Sequence, residues 1–391
     1  MSMAYMLGRF PSMGNQYQDF VSNKIWMGAC LNRPEAFPIA ALALKALAVC
    51  FFGRQHHQLK VINDSAVLYG RCLRDLTQSL QHLPEDGSFD AAAAVSALYL
   101  YEYMSFTTPH SWLQHANALP RLIQMRGADA YATYPDRALL EATRESMTAT
   151  AWARRQRDFL AEDPWTRVLD EYPTTDGAQM TALHALQARL PGIAESVQKL
   201  DLEVEDFQAR FQVALDDIHR LKSDLRAWYS AWVSEPNHVP KVVMPRDTIS
   251  TPPSRQRELF GTILDFDNLR SAKGYLFYCM INIGVLEWEH ILLHPNWERG
   301  DLHEEMDDIP EAEESAISIC RSIEYFLKPA HAEAAPFYLP LPIRVAYLAL
   351  PKTSRQSIWL LHVVDMLALA HQVEFPRNVL KNIPIRKRIH R

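Results

Sequence analysis

Residues 65–83, SAVLYGRCLRDLTQSLQHL, decide the fold class of this chain. Tyr69, Cys72, Leu73, Leu76, Leu80 and Leu83 recur at spacings of three and four, which puts them on one face of an α-helix. The same kind of pattern continues on both sides. Upstream, residues 36–52 (AFPIAALALKALAVCFF) read as a buried core helix, with Pro34 ahead of its first turn and Gly53 ending it. Lys45 interrupts that run, which also falls short of the ~20 residues a membrane span needs, so no membrane association is expected. Downstream, Pro84-Glu85-Asp86-Gly87 breaks the helix. Asp90 then stands where its carboxylate can accept from the first-turn amides of a helix running to Met104. Ser111 heads another helix up to Arg126, and Gly127 is placed to end it with a positive φ.

Further helices are expected over residues 136–162 and 179–190. Another follows as a long amphipathic rod carrying Phe207, Phe211, Leu215, Ile218, Leu221, Leu225, Trp228 and Trp232 on one stripe. Prolines 236, 240, 245, 252 and 253 mark a loop over residues 235–256. Helical spacing resumes over 257–293, 311–327, 341–350 and 354–373. No segment alternates with period two between turn signals. With only 13 glycines among 391 residues there are few positions for the positive-φ turns of hairpins. The class is all-α, a large multi-helix bundle. It is expected as one helical domain over 30–375, between an N-terminal extension (1–29) and a basic tail (376–391).

Composition narrows the function classes. Hydrophobic residues are 48% and charged residues 22%, enough apolar area for a folded core. Forty Lys and Arg against 46 Asp and Glu leave a net charge of −6. The pI of about 6.2 is far below the value above ~9 typical of nucleic-acid-binding domains, so direct nucleic-acid binding is not expected. The one basic cluster, Arg386-Lys387-Arg388-Ile389-His390-Arg391, reads either as a nuclear-import patch or as a solvated terminus, and the expected location is nucleus or cytoplasm. The five cysteines are widely spaced, odd in number and without C-x-x-C, which fits reduced thiols and excludes a compact zinc module. A secretory leader is not expected from residues 1–23, which lack a continuous apolar core.

Motifs that carry chemistry are sparse. There is no G-x-G-x-x-G, no G-x-x-x-x-G-K-[ST] and no G-x-S-x-G. Asp307-Asp308-Ile309-Pro310-Glu311 resembles the DDxxE of class I terpene synthases, but Pro310 interrupts its face and the run reads as a solvated acidic loop. Glu287, His290 and His294 share a helical face with metal-ligand spacing, yet the second copy a di-iron bundle needs is missing, so they read as histidines near a helix end. No metal and no cofactor are expected. Glu102 and Arg126 each lie near a helix end, where Arg126 serves either a structural ion pair or a ligand carboxylate.

Three runs carry a resemblance. They are Tyr69-Gly70-Arg71-Cys72-Leu73-Arg74-Asp75-Leu76, then Ala97-Leu98-Tyr99-Leu100-Tyr101-Glu102, then Ser111-Trp112-Leu113-Gln114-His115 through Leu122-Ile123-Gln124-Met125-Arg126-Gly127. In that order they resemble the fungal-specific transcription factor domain, the helical middle homology region of fungal zinc-cluster regulators. Residues 319–327 and 341–346 are similar to its C-terminal helices. The six cysteines of that family's DNA-reading cluster are not in this sequence, and Asn117 stands where the family pattern has glycine.

The resemblance implies an all-α scaffold that takes regulatory or small-molecule input, tied to fungal secondary metabolism. Two functions follow. One is a ligand-responsive co-regulator or interaction protein that contacts a protein partner or a second copy through helical faces. The other is a cofactor-independent biosynthetic enzyme (cyclase, isomerase or pericyclase) working on a natural product or its intermediate in an aromatic-lined cavity. Tyr103, Trp112, His115, Arg126, His362 and Asp365 are the expected ligand-binding residues, with His115 the proton-transfer group of the enzymatic case because imidazole titrates near neutrality. A structural hydrogen bond is the alternative role of His115.

Overall fold

The computed structural model describes residues 21–82, 88–108, 111–172, 174, 177–200, 206–245, 259–294, 309–332 and 334–371. Among them are fourteen α-helices, a few short 3-10 turns and one two-stranded ribbon, so the chain is all-α. Its residues cluster into two compact units rather than one. The first takes the described residues up to Thr150, Glu162–Gly177 and residues 368–371; the second takes Ala151–Ala161 and Ala178–Leu367.

The first unit contains α1 (Val21–Asn32), α2 (Pro38–Gln55), α3 (Leu59–Leu80), α4 (Phe89–Ser105), α5 (Ser111–Arg126), most of α6 (Asp136–Arg154) and α7 (Trp165–Glu171). Helix α4 is its centre. Ala91, Ala92, Ala93 and Ala94 are each fully buried, so this helix is enclosed on every side, and its small side chains let α2 and α5 pack closely against it. Part of the expected N-terminal extension belongs to this core: α1 starts at Val21 and buries Trp26 and Met27.

Asp90 does not cap its own helix. Ser88 does, accepting from Ala91 N at 3.3 Å. The Asp90 carboxylate reaches across to α2 and accepts from Ile39 N (3.2 Å) and Ala40 N (2.7 Å), satisfying first-turn amides that Pro38 and its neighbours leave open. Gly53 does not end α2 either; the helix continues to Gln55. A Cβ there would lie 2.9 Å from Ile62 Cγ1 and 3.0 Å from Ile62 N, so glycine is required by the close return of the chain into α3.

The second unit contains α8 (Ala178–Gln198), α9 (Phe207–Val233), α10 (Leu269–Leu293), α11 (Pro310–Leu327), α12 (Ala335–Tyr338), α13 (Pro340–Ala349) and most of α14 (Arg355–His371). Helix α10 is its centre, packed by α8, α9, α11 and α13. Several boundaries differ from the sequence reading: α3 starts at Leu59 rather than 65 and ends at Leu80, which is exposed. Helix α8 carries Pro191 inside it and runs on to Gln198, and α6 stops at Arg154 instead of 162. The segment expected as helix from 257 holds a strand, β2 (Ile263–Asp265), paired antiparallel with β1 (Lys241–Val243) inside the expected proline-rich loop. Asn268 then caps α10 by accepting from Ser271 N at 2.8 Å.

By length and composition alone α2 and α10 could each cross a membrane; within their units, 44% and 67% of their most apolar windows are buried. All five cysteines are buried and unpaired thiols. The acidic run Asp307-Asp308, the basic residues 386–391 and residues 1–20 lie outside the described residues.

Candidate functional site

A polar cluster of the first unit's interior lies where α3, α4 and α5 meet. Helix α3 presents Ser65 and Tyr69 one turn apart, α5 presents Ser111 and His115 one turn apart, and α4 contributes the adjacent Tyr101 and Glu102. None of the six is more than 9% exposed, and Glu102 is wholly buried. Such groups are tolerated inside only when hydrogen-bonded, and here they bond to one another.

Ser65 Oγ lies 3.1 Å from the Tyr101 hydroxyl. The Tyr101 ring stacks on Tyr69, with centroids 4.5 Å apart and planes at 18°. The Tyr69 hydroxyl lies 3.1 Å from His115 Nε2, and the two rings meet edge to face. Glu102 lies near enough to act electrostatically on both Tyr69 and His115. It also accepts from Thr107 Oγ1 at 2.6 Å, Thr107 N at 2.9 Å and Ser111 Oγ at 2.7 Å. These bonds hold the α4–α5 turn, in which Phe106 adopts a left-handed conformation (φ 47°) that costs a non-glycine residue ~1 kcal/mol or more. Charge-assisted hydrogen bonds of ~1.5–3 kcal/mol each offset that strain. From the α2 side, Arg54 Nη2 donates to the Ser105 carbonyl at 3.2 Å, closing the C-terminal end of α4.

Burial fixes the protonation states. It pushes the Tyr69 phenol well above its ordinary value, reinforced by the nearby Glu102, and it holds Tyr101 up at about 12. His115 is held below 6.5 by burial, and the Glu102 charge opposes that shift only in part. At neutral pH the cluster therefore holds two phenols and a neutral imidazole. Chemically this is a chain of fixed dipoles joining three helices.

The other expected site residues are dispersed. Tyr103 is buried beside Tyr99, whose ring centroid is 6.5 Å away, and Trp112 is buried next in sequence to Ser111. Arg126 meets neither Glu102 nor an open site. Its Nε and Nη2 donate to Asp136 Oδ1 at 2.8 and 2.6 Å, which makes it an internal ion pair of the first unit. His362 and Asp365 lie on the exposed face of α14. Tyr69, Ser65 and Ser111 were missed as site residues. Their signal was present as polar side chains on the core-facing stripes of α3 and α5, where Tyr69 read as one more apolar contact.

An open groove of about 560 Å³ runs along the surface of the first unit, between Pro38, Ile39 and Leu42 of α2 and Arg71, Asp75 and His82. Its floor is apolar and its rim carries both charge signs, with Arg71 and Asp75 paired at 3.7 Å. Among the described residues no group of three or more His, Cys, Asp and Glu side chains converges in a metal-holding arrangement.

Comparison with known proteins gives one relative of note. An uncharacterised protein of the fungus Emericella nidulans, AN5342, is 24% identical over 198 residues, covering 48% of this chain and 42% of the relative. The chain therefore matches less than half the length of that protein. No family model matches, and no solved structure matches.

Proposed function

We propose that this chain is a non-enzymatic helical protein of the kind found in fungal transcriptional regulators, acting in secondary metabolism as a ligand-responsive co-regulator or interaction protein. One observation carries this reading: His115, the expected proton-transfer group, is spent on packing. Its nitrogen is bonded to Tyr69 inside a closed cluster, and Arg126, the expected ligand anchor, is spent on Asp136. The ordered run of regulator-like motifs supports the same reading, and the uncharacterised relative supports a fungal setting. The groove beside α2 and α3 offers an apolar floor and a mixed-charge rim for a partner. The acidic net charge favours protein contacts over DNA for this stretch of chain.

The test has two arms. Deleting the gene in its native host should change the transcripts of a co-regulated set of genes, and purified protein should leave candidate biosynthetic intermediates unconverted. Unchanged transcripts would remove the regulatory reading. Cofactor-free turnover that disappears in His115→Gln would replace it with the enzymatic one.

A further inference from the structure

Helix α3 buries one face through Ser65, Tyr69, Cys72 and Leu76 and turns the other to solvent. On that outer face Lys60, Asp64, Val67, Arg71, Arg74 and Gln78 follow at alternating spacings of four and three, and all are exposed. This is the repeat by which one helix meets another. Val67, 71% exposed, projects from the stripe, and the α2–α3 groove beside it shares Arg71 and Gln78. The order of side chains is self-complementary. Arg71 and Asp75 lie equally far on either side of Leu73, as do Asp64 and His82, and Val67 and Ser79. In an antiparallel pair of α3 helices centred at that level, each acid therefore meets a base, and Val67 faces the groove wall at Ser79. Within one chain Arg71 and Asp75 make only a loose contact of 3.7 Å, with side chains 67% and 45% exposed, so both keep hydrogen-bonding capacity for a partner. The apolar wall of the groove, Pro38, Ile39 and Leu42, is held in place by Asp90, which accepts from Ile39 N and Ala40 N. A fixed apolar wall and a projecting valine on the same chain are the two halves of an isologous contact.

We propose that two copies of this chain pair through α3, antiparallel and two-fold symmetric, each placing Val67 in the other's α2–α3 groove and matching Arg71 to Asp75 of the partner subunit. The proposal rests on the interaction reading of that groove and names its occupant. One helix pair covers a small area, so the pairing is reversible and depends on concentration and salt.

Sedimentation velocity of the full chain over roughly 1–100 µM tests it. The wild type should pass from monomer to dimer across that range, a measurement that needs no variant to fold. Val67→Lys and the single reversals Arg71→Asp and Asp75→Arg should each weaken association by about tenfold or more, because the two-fold axis repeats every like-charge contact. The double reversal R71D/D75R rebuilds both cross-pairs and should recover the dimer. A wild type that stays monomeric, a dimer indifferent to Val67→Lys, or a double reversal no better than the single ones overturns the self-pairing. The transcript response of the deletion strain is read separately, so failure of the dimer and failure of the regulatory reading are distinguishable.

Discussion

The central helix of the first unit is held by directional bonds, whereas that of the second is held by fitted rings. Around α4, the Glu102 side chain gathers donors from Thr107 and Ser111, while Asp90 at its start ties down the first turn of α2. Around α10 the seam with α9 is aromatic. Trp228 stacks on Trp232 (5.0 Å), Trp232 on His238 (3.7 Å), and Tyr229 on Tyr278 (4.1 Å). The Trp232 and Trp288 indole nitrogens have no hydrogen-bond partner among the described residues. The contrast shows two ways to specify a helix contact. A buried charge specifies it through the cost of losing its partners, and a stacked ring specifies it through volume.

Three experiments break or sharpen this contrast. The largest effect should come from Glu102→Ala, which removes the acceptor of the Thr107 amide and of the Thr107 and Ser111 hydroxyls in a buried site and releases the strained Phe106 turn. A loss of about 3 kcal/mol is expected in urea unfolding, with Glu102→Gln recovering part of it. Gly274→Ala should rank second. Its new Cβ would lie 2.5 Å from Trp232 Cζ2, so the ring stack must shift, at a cost of about 2 kcal/mol. Trp232→Phe in the same chain should relieve part of that cost, because the two sites are in contact. If Gly274→Ala proves more damaging than Glu102→Ala, directional bonding is not the stronger constraint.

The smallest effect is a pH slope. His115 in the native state has its pKa below 6.5, so between that lowered value and 6.5 the unfolded chain binds a proton that the native state refuses. Stability should therefore fall as pH drops through this window, and the contribution is fully present above it. Unfolding midpoints measured at about pH 7.5 and about pH 5.5 should show a smaller difference for His115→Gln than for wild type. A residual slope is expected from His331 in the second unit, which burial and Lys328 shift in the same direction. An unchanged slope in His115→Gln would mean that the imidazole is not held neutral by the cluster.

Much of the fold was legible in spacing because periodicity reports which side of a helix meets the core. The stripes on α3 and α9 are such cases. Legibility failed where a residue's role depends on a distant neighbour. Asp90 was expected to serve its own helix and serves α2, fifty residues earlier in the chain. Gly53 has the composition of a helix stop but is a contact point for Ile62. Pro191 has the composition of a break, yet α8 continues through it. In the candidate site, His115 was identifiable by residue type, whereas its bond to Tyr69 was not, since a core-facing tyrosine on a stripe looks like any other apolar contact.

The amino-acid order by itself determined that this chain would be helical, where most rods begin and end, and that it would carry apolar area enough for a core. Those properties follow from local sterics and from i, i+3 and i, i+4 neighbours. Only the tertiary structure decided that the rods sort into two compact units, that Arg126 would answer Asp136 and not Glu102, and that Glu102, Tyr69 and His115 would share one buried cluster. A buried polar group takes whichever partner the packing of separate helices delivers within hydrogen-bond reach, and that proximity is set in space rather than along the chain.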